Sequence, residues 1–182
     1  MLGAAGVAFE AVVAGVDEEA AKASLGALSP RDLADALAEM KALKVSTRMP
    51  GMLVLGSDSL VALADGTRLD KPASRDEAAD HLRQMSGGAH ELWSAAVVAE
   101  DGRAVWRHVE RAKLHVRNLS DGFIDSYLDR EWPAIAGCVG CFRIEGPGVQ
   151  LFDRIDGSHF TVLGMPLLPV LGYLRTRGLM TT

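Results

Sequence analysis

The stretch "GMLVLGSDSLVALADGTRLDKP", Gly51 to Pro72, constrains the fold more than any other. Met52 to Leu55 is a short, wholly apolar run, the composition of a strand buried on both faces of a sheet. It ends at Gly56, and the acid Asp58 follows almost at once. Leu60 to Leu63 and Arg68-Leu69 flank "ADGT", and Asp-Gly between apolar segments is a strong hairpin signal. A buried strand that runs into a hairpin needs covering elements, and the chain supplies them as capped helices. In "LSPRDLADALAEMKALKVS", Ser29 reads as the N-cap, Pro30 as the first helical residue and Asp32 as a first-turn acid. Leu33, Leu37, Met40 and Lys44 are expected on one face, with Leu43 extending the stripe.

Further along, the pattern predicts a capped helix over 74–85 and a helix over 120–129. It predicts long strands over 91–99 and 104–116 around a second Asp-Gly turn, and an apolar closing helix over 166–175. Val7 to Val16 has strand character, with Phe9, Val12 and Val13 to bury, and Asp17 to Glu19 reads as an acidic loop or helix start. Helices that alternate with strands and hairpins predict an α/β fold with a mixed sheet, in one domain over all 182 residues.

Several function classes lose support. No stretch approaches the roughly 18 apolar residues of a membrane span, and the N-terminus lacks a signal-peptide pattern, so a cytoplasmic protein is expected. A net charge of −5 argues against a broad nucleic-acid surface. No Walker loop or Gly-x-Ser-x-Gly elbow occurs, and the five histidines lack the spacing of a helix-borne zinc site. Cys138 and Cys141 form a Cys-x-x-Cys in "GCVGCF". The interleaved glycines and the following Phe-Arg-Ile read as a tight turn into a strand, not as a redox helix N-terminus.

Acids and lysines remain. Glu18, Lys41, Asp58, Lys71 and Glu145 lie after or between the expected elements, and Asp58 stands where ligands gather in open α/β sheets, just past a buried strand. Acids with lysines and no histidine suit metal-assisted phosphate chemistry: carboxylates hold a divalent cation and orient water, and ammonium groups neutralise phosphate oxygens.

Gly56-Ser57-Asp58-Ser59-Leu60-Val61, followed by Asp65-Gly66-Thr67-Arg68-Leu69-Asp70-Lys71-Pro72, resembles the Maf family of nucleoside triphosphate pyrophosphatases. "VDEEA" at 16–20, "LAEMKALKVS" at 37–46, "MSGGAHELWSAAVV" at 85–98 and the closing segment at 143–167 are similar to that family's motifs in the same order. The resemblance covers nearly the whole chain. It implies an elongated mixed sheet with flanking helices and a central cleft, like the inosine-triphosphate pyrophosphatase fold, and often a homodimer. It implies a cytoplasmic enzyme dependent on Mg²⁺ or Mn²⁺ that cleaves a nucleoside triphosphate between the α and β phosphates. The implied role is clearance of non-standard nucleotides, with a link to septum formation.

Residue by residue, the resemblance makes Asp58 the catalytic acid and, with Glu18, a metal ligand. Lys41 and Lys71 become phosphate-binding residues, and Ser59 and Glu145 become substrate-recognition positions. Glu145 in "FRIEGPG" looks more like the branch acting on 7-methyl-GTP, since a carboxylate can accept from both the N1–H and N2–H₂ of a guanine edge. The family's Ser-x-Ser-Pro-Arg-Arg loop and first strand would stand upstream of Met1. Ser29-Pro30-Arg31 is expected to be capping chemistry instead. A nucleotide-binding or division-linked relative without full catalysis is the alternative, and a thiol redox protein using Cys138 and Cys141 is a third.

Overall fold

The structure is a computed structural model that describes residues 1–181. Its elements are α1 (Glu18–Ser24), α2 (Pro30–Ser46), β1 (Val54–Leu63), β2 (Arg68–Leu69), α3 (Arg75–Met85), β3 (Ala89–Glu100), β4 (Arg103–Val116), α4 (Asp121–Glu131), β5 (Phe152–Asp156), α5 (His159–Val162) and α6 (Leu167–Thr176). The five strands form one sheet in the order β2-β1-β3-β4-β5. β1 and β2 pair antiparallel with Val61 opposite Leu69, and β5 pairs antiparallel with β4, with Leu114 opposite Ile155. The expected α/β class, a sheet with helices, is what the chain adopts. No helix among the described residues is long and apolar enough to cross a membrane.

The chain divides into two compact units. One comprises 1–59, 94–110 and 159–182, and the other 60–93 and 111–158. In the first, Leu33, Ala34, Leu37, Ala38 and Ala42 of α2 and Ala95 to Ala99 of β3 are buried. The turn between β3 and β4 is tied to the end of α2. Asp101 accepts from the Gly51 N–H at 2.7 Å, and the Gly102 N–H donates to Ser46 Oγ at 3.0 Å. In the second unit, α3 and α4 pack together, and Leu82, Leu114, Ile124, Leu128, Ile135 and Leu151 are buried.

The predicted caps form at Ser29 and Ser74, and Ser120 caps α4 in the same way. Each hydroxyl accepts from the N–H three residues on, and Pro30 opens α2. Each such cap is worth about 1 kcal/mol.

Three expectations need correction. The expected stripe on α2 holds at Leu33 and Leu37, which are buried, but not at its Met40–Lys44 end, because Met40 is 38% exposed. Beside those leucines the packed face takes in Ala34, Ala38 and Ala42, small residues that let the helix lie close on β1. A Cβ added at Gly56 would stand 2.4 Å from the Ala38 carbonyl oxygen and 2.7 Å from the Ala42 nitrogen. Second, the apolar run is only the start of β1. Met52 is 52% exposed, and the strand runs from Val54 to Leu63, so Asp58 is inside it and not beyond its tip. Third, Val7 to Val16 forms no strand, and Phe9 and Val13 are 59% and 85% exposed. Strand-like composition becomes a strand only where a ladder partner exists. This segment is held instead by Lys44 Nζ, which donates to the Gly15 carbonyl, and by Arg48 at the Val13 and Ala14 carbonyls.

The closeness of α2 and β1 gives a direct test. Gly56→Ala sets a methyl against backbone atoms of α2, so it should destabilise the fold by about 3 kcal/mol. Thermal melting should show the loss as a fall of several degrees in Tm, while Ala38→Gly in the same background should recover little, because the obstructing atoms are backbone.

Candidate active site

Asp58 owes its position to alternation along β1. Gly56, Asp58 and Leu60 are buried on one face, and Ser57 and Ser59 point to the other. Gly56 fixes that first face as the one covered by α2. Lys41 lies one turn beyond Leu37 and Ala38, so it emerges at the edge of the packed face, above Asp58. Glu18 opens α1, whose N-cap Asp17 accepts from the Ala20 N–H at 3.0 Å.

These three elements bring one ammonium between two carboxylates. Lys41 Nζ is 2.6 Å from Asp58 Oδ1 and 2.8 Å from Glu18 Oε1. The Asp58 side chain is 8% exposed and that of Lys41 21%. Burial pushes the Asp58 carboxyl above the ordinary aspartate value. The Lys41 hydrogen bond and charge pull it back, and the neighbouring Glu18 charge adds to the rise. Burial works against the Lys41 ammonium, but the hydrogen bonds it donates to the two carboxylates, with their charges, outweigh it, and its pKa lies above the usual lysine value. The result is a sheltered carboxylate, its burial offset in part by Lys41 and by the Lys22 charge, and inclined to take a proton. That is the electrostatic state of a general base.

The remaining predicted residues fall elsewhere. Ser59 Oγ points to the opposite face of β1 from Asp58, 2.7 Å from Ser94 Oγ and 3.2 Å from the Gly164 carbonyl. Lys71 and Glu145 belong to the second unit. Both are exposed, and both lie near enough to Cys138 for their charges to act on its thiol. Glu145 sits in the tight segment after Arg143, whose guanidinium donates twice to buried Glu131, at 3.1 and 2.8 Å.

Cys138 and Cys141 lie in a hydrogen-bonded turn, as expected, but the segment runs on through further turns and not into a strand. Both thiols are free. Burial pushes Cys141 up to about 12 and also raises Cys138, the reverse of what a reactive redox thiol needs.

Residues 1–177 match the family described as Maf-like protein. The chain belongs to the Maf family. Curated Maf relatives agree over nearly their whole length. A protein of Sphingopyxis alaskensis is 55% identical over 98% of this chain and 91% of its own. One of Caulobacter vibrioides is 55% identical over 97% and 89%, and one of Hyphomonas neptunium 46% over 100% and 92%. All three carry the name nucleoside triphosphate pyrophosphatase.

The structure of this Maf chain also shows groups that reading the sequence missed. On the face of β1 opposite Asp58, Ser57 bonds the Ala95 and Gly164 carbonyls, and Ser94 meets Ser59 and donates to the Thr161 carbonyl. Serines inside a strand are hard to interpret from sequence, because neither spacing nor composition shows which hydroxyls will meet. The alternation Gly-Ser-Asp-Ser-Leu was the available signal that Asp58 and its flanking serines occupy opposite faces.

Proposed function

We propose that this Maf chain hydrolyses the α–β phosphoanhydride of a nucleoside triphosphate, releasing a nucleoside monophosphate and pyrophosphate. The class, a hydrolase acting on acid anhydrides, follows from the name its relatives share. One geometric observation carries the proposal of where the chemistry occurs: Lys41 bridges Asp58 and Glu18 in a half-buried site at 2.6 and 2.8 Å.

Asp58 is the proposed base, accepting a proton from water as that water attacks phosphorus. Its sheltered carboxylate favours taking the proton more than an exposed aspartate does. Lys41 has three N–H donors and gives two to the acids. The third can meet a phosphate oxygen, so one residue would orient both the base and the substrate. Lys71 is proposed as a further phosphate contact on the strength of the family motif.

Glu18 and Asp58 converge on one point, and no group of three metal-ligating side chains stands ready among the described residues. Two carboxylates completed by substrate phosphates are the usual ligand set of Mg²⁺, so these residues fit a cation that arrives with the nucleotide. Bound there, Mg²⁺ or Mn²⁺ would draw charge from the phosphates and acidify water. Glu18 and Asp58 would hold it, and Lys41 would turn towards the phosphates.

The proposed substrate is a modified guanine nucleotide such as 7-methyl-GTP, the proposed setting is the cytoplasm, and the proposed role is removal of non-standard nucleotides. Release of pyrophosphate from a panel of nucleotides with Mg²⁺ and Mn²⁺ tests the activity. Glu145→Gln tests the base: it should reduce use of 7-methyl-GTP and GTP more than use of UTP or dTTP. Glu145 is exposed, so the expected discrimination is about tenfold and not the larger factor of a buried pair. An equal loss on every nucleotide would remove Glu145 from base recognition.

A further inference from the structure

In the second unit, the segment that carries Glu145 is built around an ion pair with no part in the chemistry proposed above. Glu131 is the last residue of α4. Its side chain is 4% exposed, and Arg143 Nε and Nη2 both donate to its Oε2, at 3.1 and 2.8 Å. Arg143 opens the turn that presents Glu145. The Gly146 N–H donates to the Arg143 carbonyl at 3.2 Å, Ile144 is buried, and Glu145 is left exposed at the tip. The chain then folds back on the same residue. A Cβ added at Gly148 would stand 2.5 Å from the Arg143 carbonyl oxygen and 2.8 Å from its nitrogen.

For stability alone this pair is badly placed. An acid at the last residue of a helix opposes the helix dipole. Replacing a buried ion pair with apolar residues of similar volume often costs nothing, and the best use of such a pair is to fix register. Here the residue it fixes is Arg143. The turn closes on the Arg143 backbone from both sides, so holding its side chain against α4 sets where the tip, Glu145, stands.

The pair also decides which acid receives the guanidinium. The charges of both Glu131 and Glu145 act on Arg143, and its hydrogen bonds go to Glu131. Glu131 thus keeps this guanidinium off the Glu145 carboxylate. A carboxylate that accepts from the N1–H and N2–H₂ of a guanine edge needs both its oxygens unmasked. From this arrangement we infer that Glu131 and Arg143 are positioning residues for Glu145, setting the preference among bases without touching the substrate. The inference rests on Glu145 being the proposed base-recognition residue.

The test measures kcat and KM for 7-methyl-GTP and UTP, with Mg²⁺ and at equal folded concentration. The proteins are wild type, Glu131→Gln, Arg143→Lys, Glu145→Gln and the double variant Glu131→Gln/Glu145→Gln. Glu145→Gln should cut the 7-methyl-GTP/UTP ratio of kcat/KM about tenfold. Glu131→Gln should cut it about fivefold, through KM for 7-methyl-GTP, with kcat and the UTP kinetics within about twofold of wild type. Arg143→Lys keeps the charge but loses the double donation, and should cut the ratio about threefold. The double variant should match Glu145→Gln within about twofold, because Glu131 acts through Glu145.

A wild-type ratio in Glu131→Gln overturns the inference. So does an equal loss on both nucleotides in that variant, which marks the pair as merely structural, or a double variant in which the two single effects multiply. If Glu131→Gln does not fold, Arg143→Lys decides by the same criteria. Glu145→Gln separates the two levels: an equal loss on both nucleotides there defeats the base assignment and this inference with it, whereas a lowered ratio there beside wild-type discrimination in Glu131→Gln and Arg143→Lys defeats this inference alone.

Discussion

Asp58→Asn is expected to lower turnover by a hundredfold or more while leaving the protein folded, because it removes the proposed general base and cation ligand without changing shape. The stability expectation follows from the sign of the pKa shift. The folded-state carboxyl is raised by burial, so the native protein holds the Asp58 proton more tightly than the unfolded chain does. Its contribution to stability is present below the unfolded value, about 3.9, and is lost as pH rises through the folded one. At neutral pH the ionised group is a burden on the fold, eased by Lys41. The neutral amide removes that burden, and Lys41 keeps Glu18 as a partner at 2.8 Å. Melting temperature at pH 7 should therefore hold or rise slightly while pyrophosphate release collapses. Turnover near wild type would take Asp58 out of the chemistry.

Lys41→Met is expected to damage both the fold and the activity. It leaves two neighbouring acids without their shared cation, one of them almost wholly buried. Breaking a buried pair by removing one partner costs about 3 kcal/mol or more. The loss should depend on pH. Without the ammonium the folded Asp58 pKa rises further, so the variant should lie close to wild type near pH 4 and fall behind as pH climbs towards 7. Wild type has a second, alkaline limit of its own. The Lys41 pKa is raised, so its contribution is intact below the unfolded lysine value of about 10.4 and fades as pH passes above the folded one. Denaturant melts across pH would show this. Adding Asp58→Asn to Lys41→Met should return much of the neutral-pH stability but none of the turnover. A pH-independent loss would mean that Lys41 matters through its aliphatic packing alone.

The legible parts of this fold are those where one residue type has one local use. Ser29-Pro30, Ser74 and Ser120 announce helix starts because a hydroxyl can satisfy an orphan N–H. Asp65-Gly66 and Asp101-Gly102 announce turns because they tolerate positive φ, observed at Asp101, Gly66 and Gly102. Faces were harder. On α2 the large apolar side chains pointed correctly to Leu33 and Leu37 but wrongly to Met40, and they hid the buried alanines at 34, 38 and 42, which mark close approach and not hydrophobic bulk. With that stripe recognised, Lys41 falls towards β1 instead of towards solvent.

The polar run Gly-Ser-Asp-Ser looked like the end of a strand because its residues have low strand propensity. Their burial and hydrogen bonds make it the middle of one. Val7 to Val16 failed in the opposite way, since propensity was present and a partner was not. At the site, charge type and order pointed to Glu18, Lys41, Asp58, Lys71 and Glu145, and the first three are the ones joined by ion pairs. The hydroxyl contacts on the face of β1 opposite Asp58 were invisible because their members are spread over 57–164 and gain meaning only when β1, β3 and the turn after α5 meet.

The most direct measurement is a product analysis by phosphorus NMR of wild type and Asp58→Asn, at equal folded concentration, with a nucleoside triphosphate and Mg²⁺. Wild type should convert the nucleotide to nucleoside monophosphate and pyrophosphate, with no orthophosphate or nucleoside diphosphate formed, and Asp58→Asn should form neither product at more than about a hundredth of that rate. Release of orthophosphate and a nucleoside diphosphate by wild type, or equal pyrophosphate release by the two proteins, would contradict α–β cleavage at the Asp58 site.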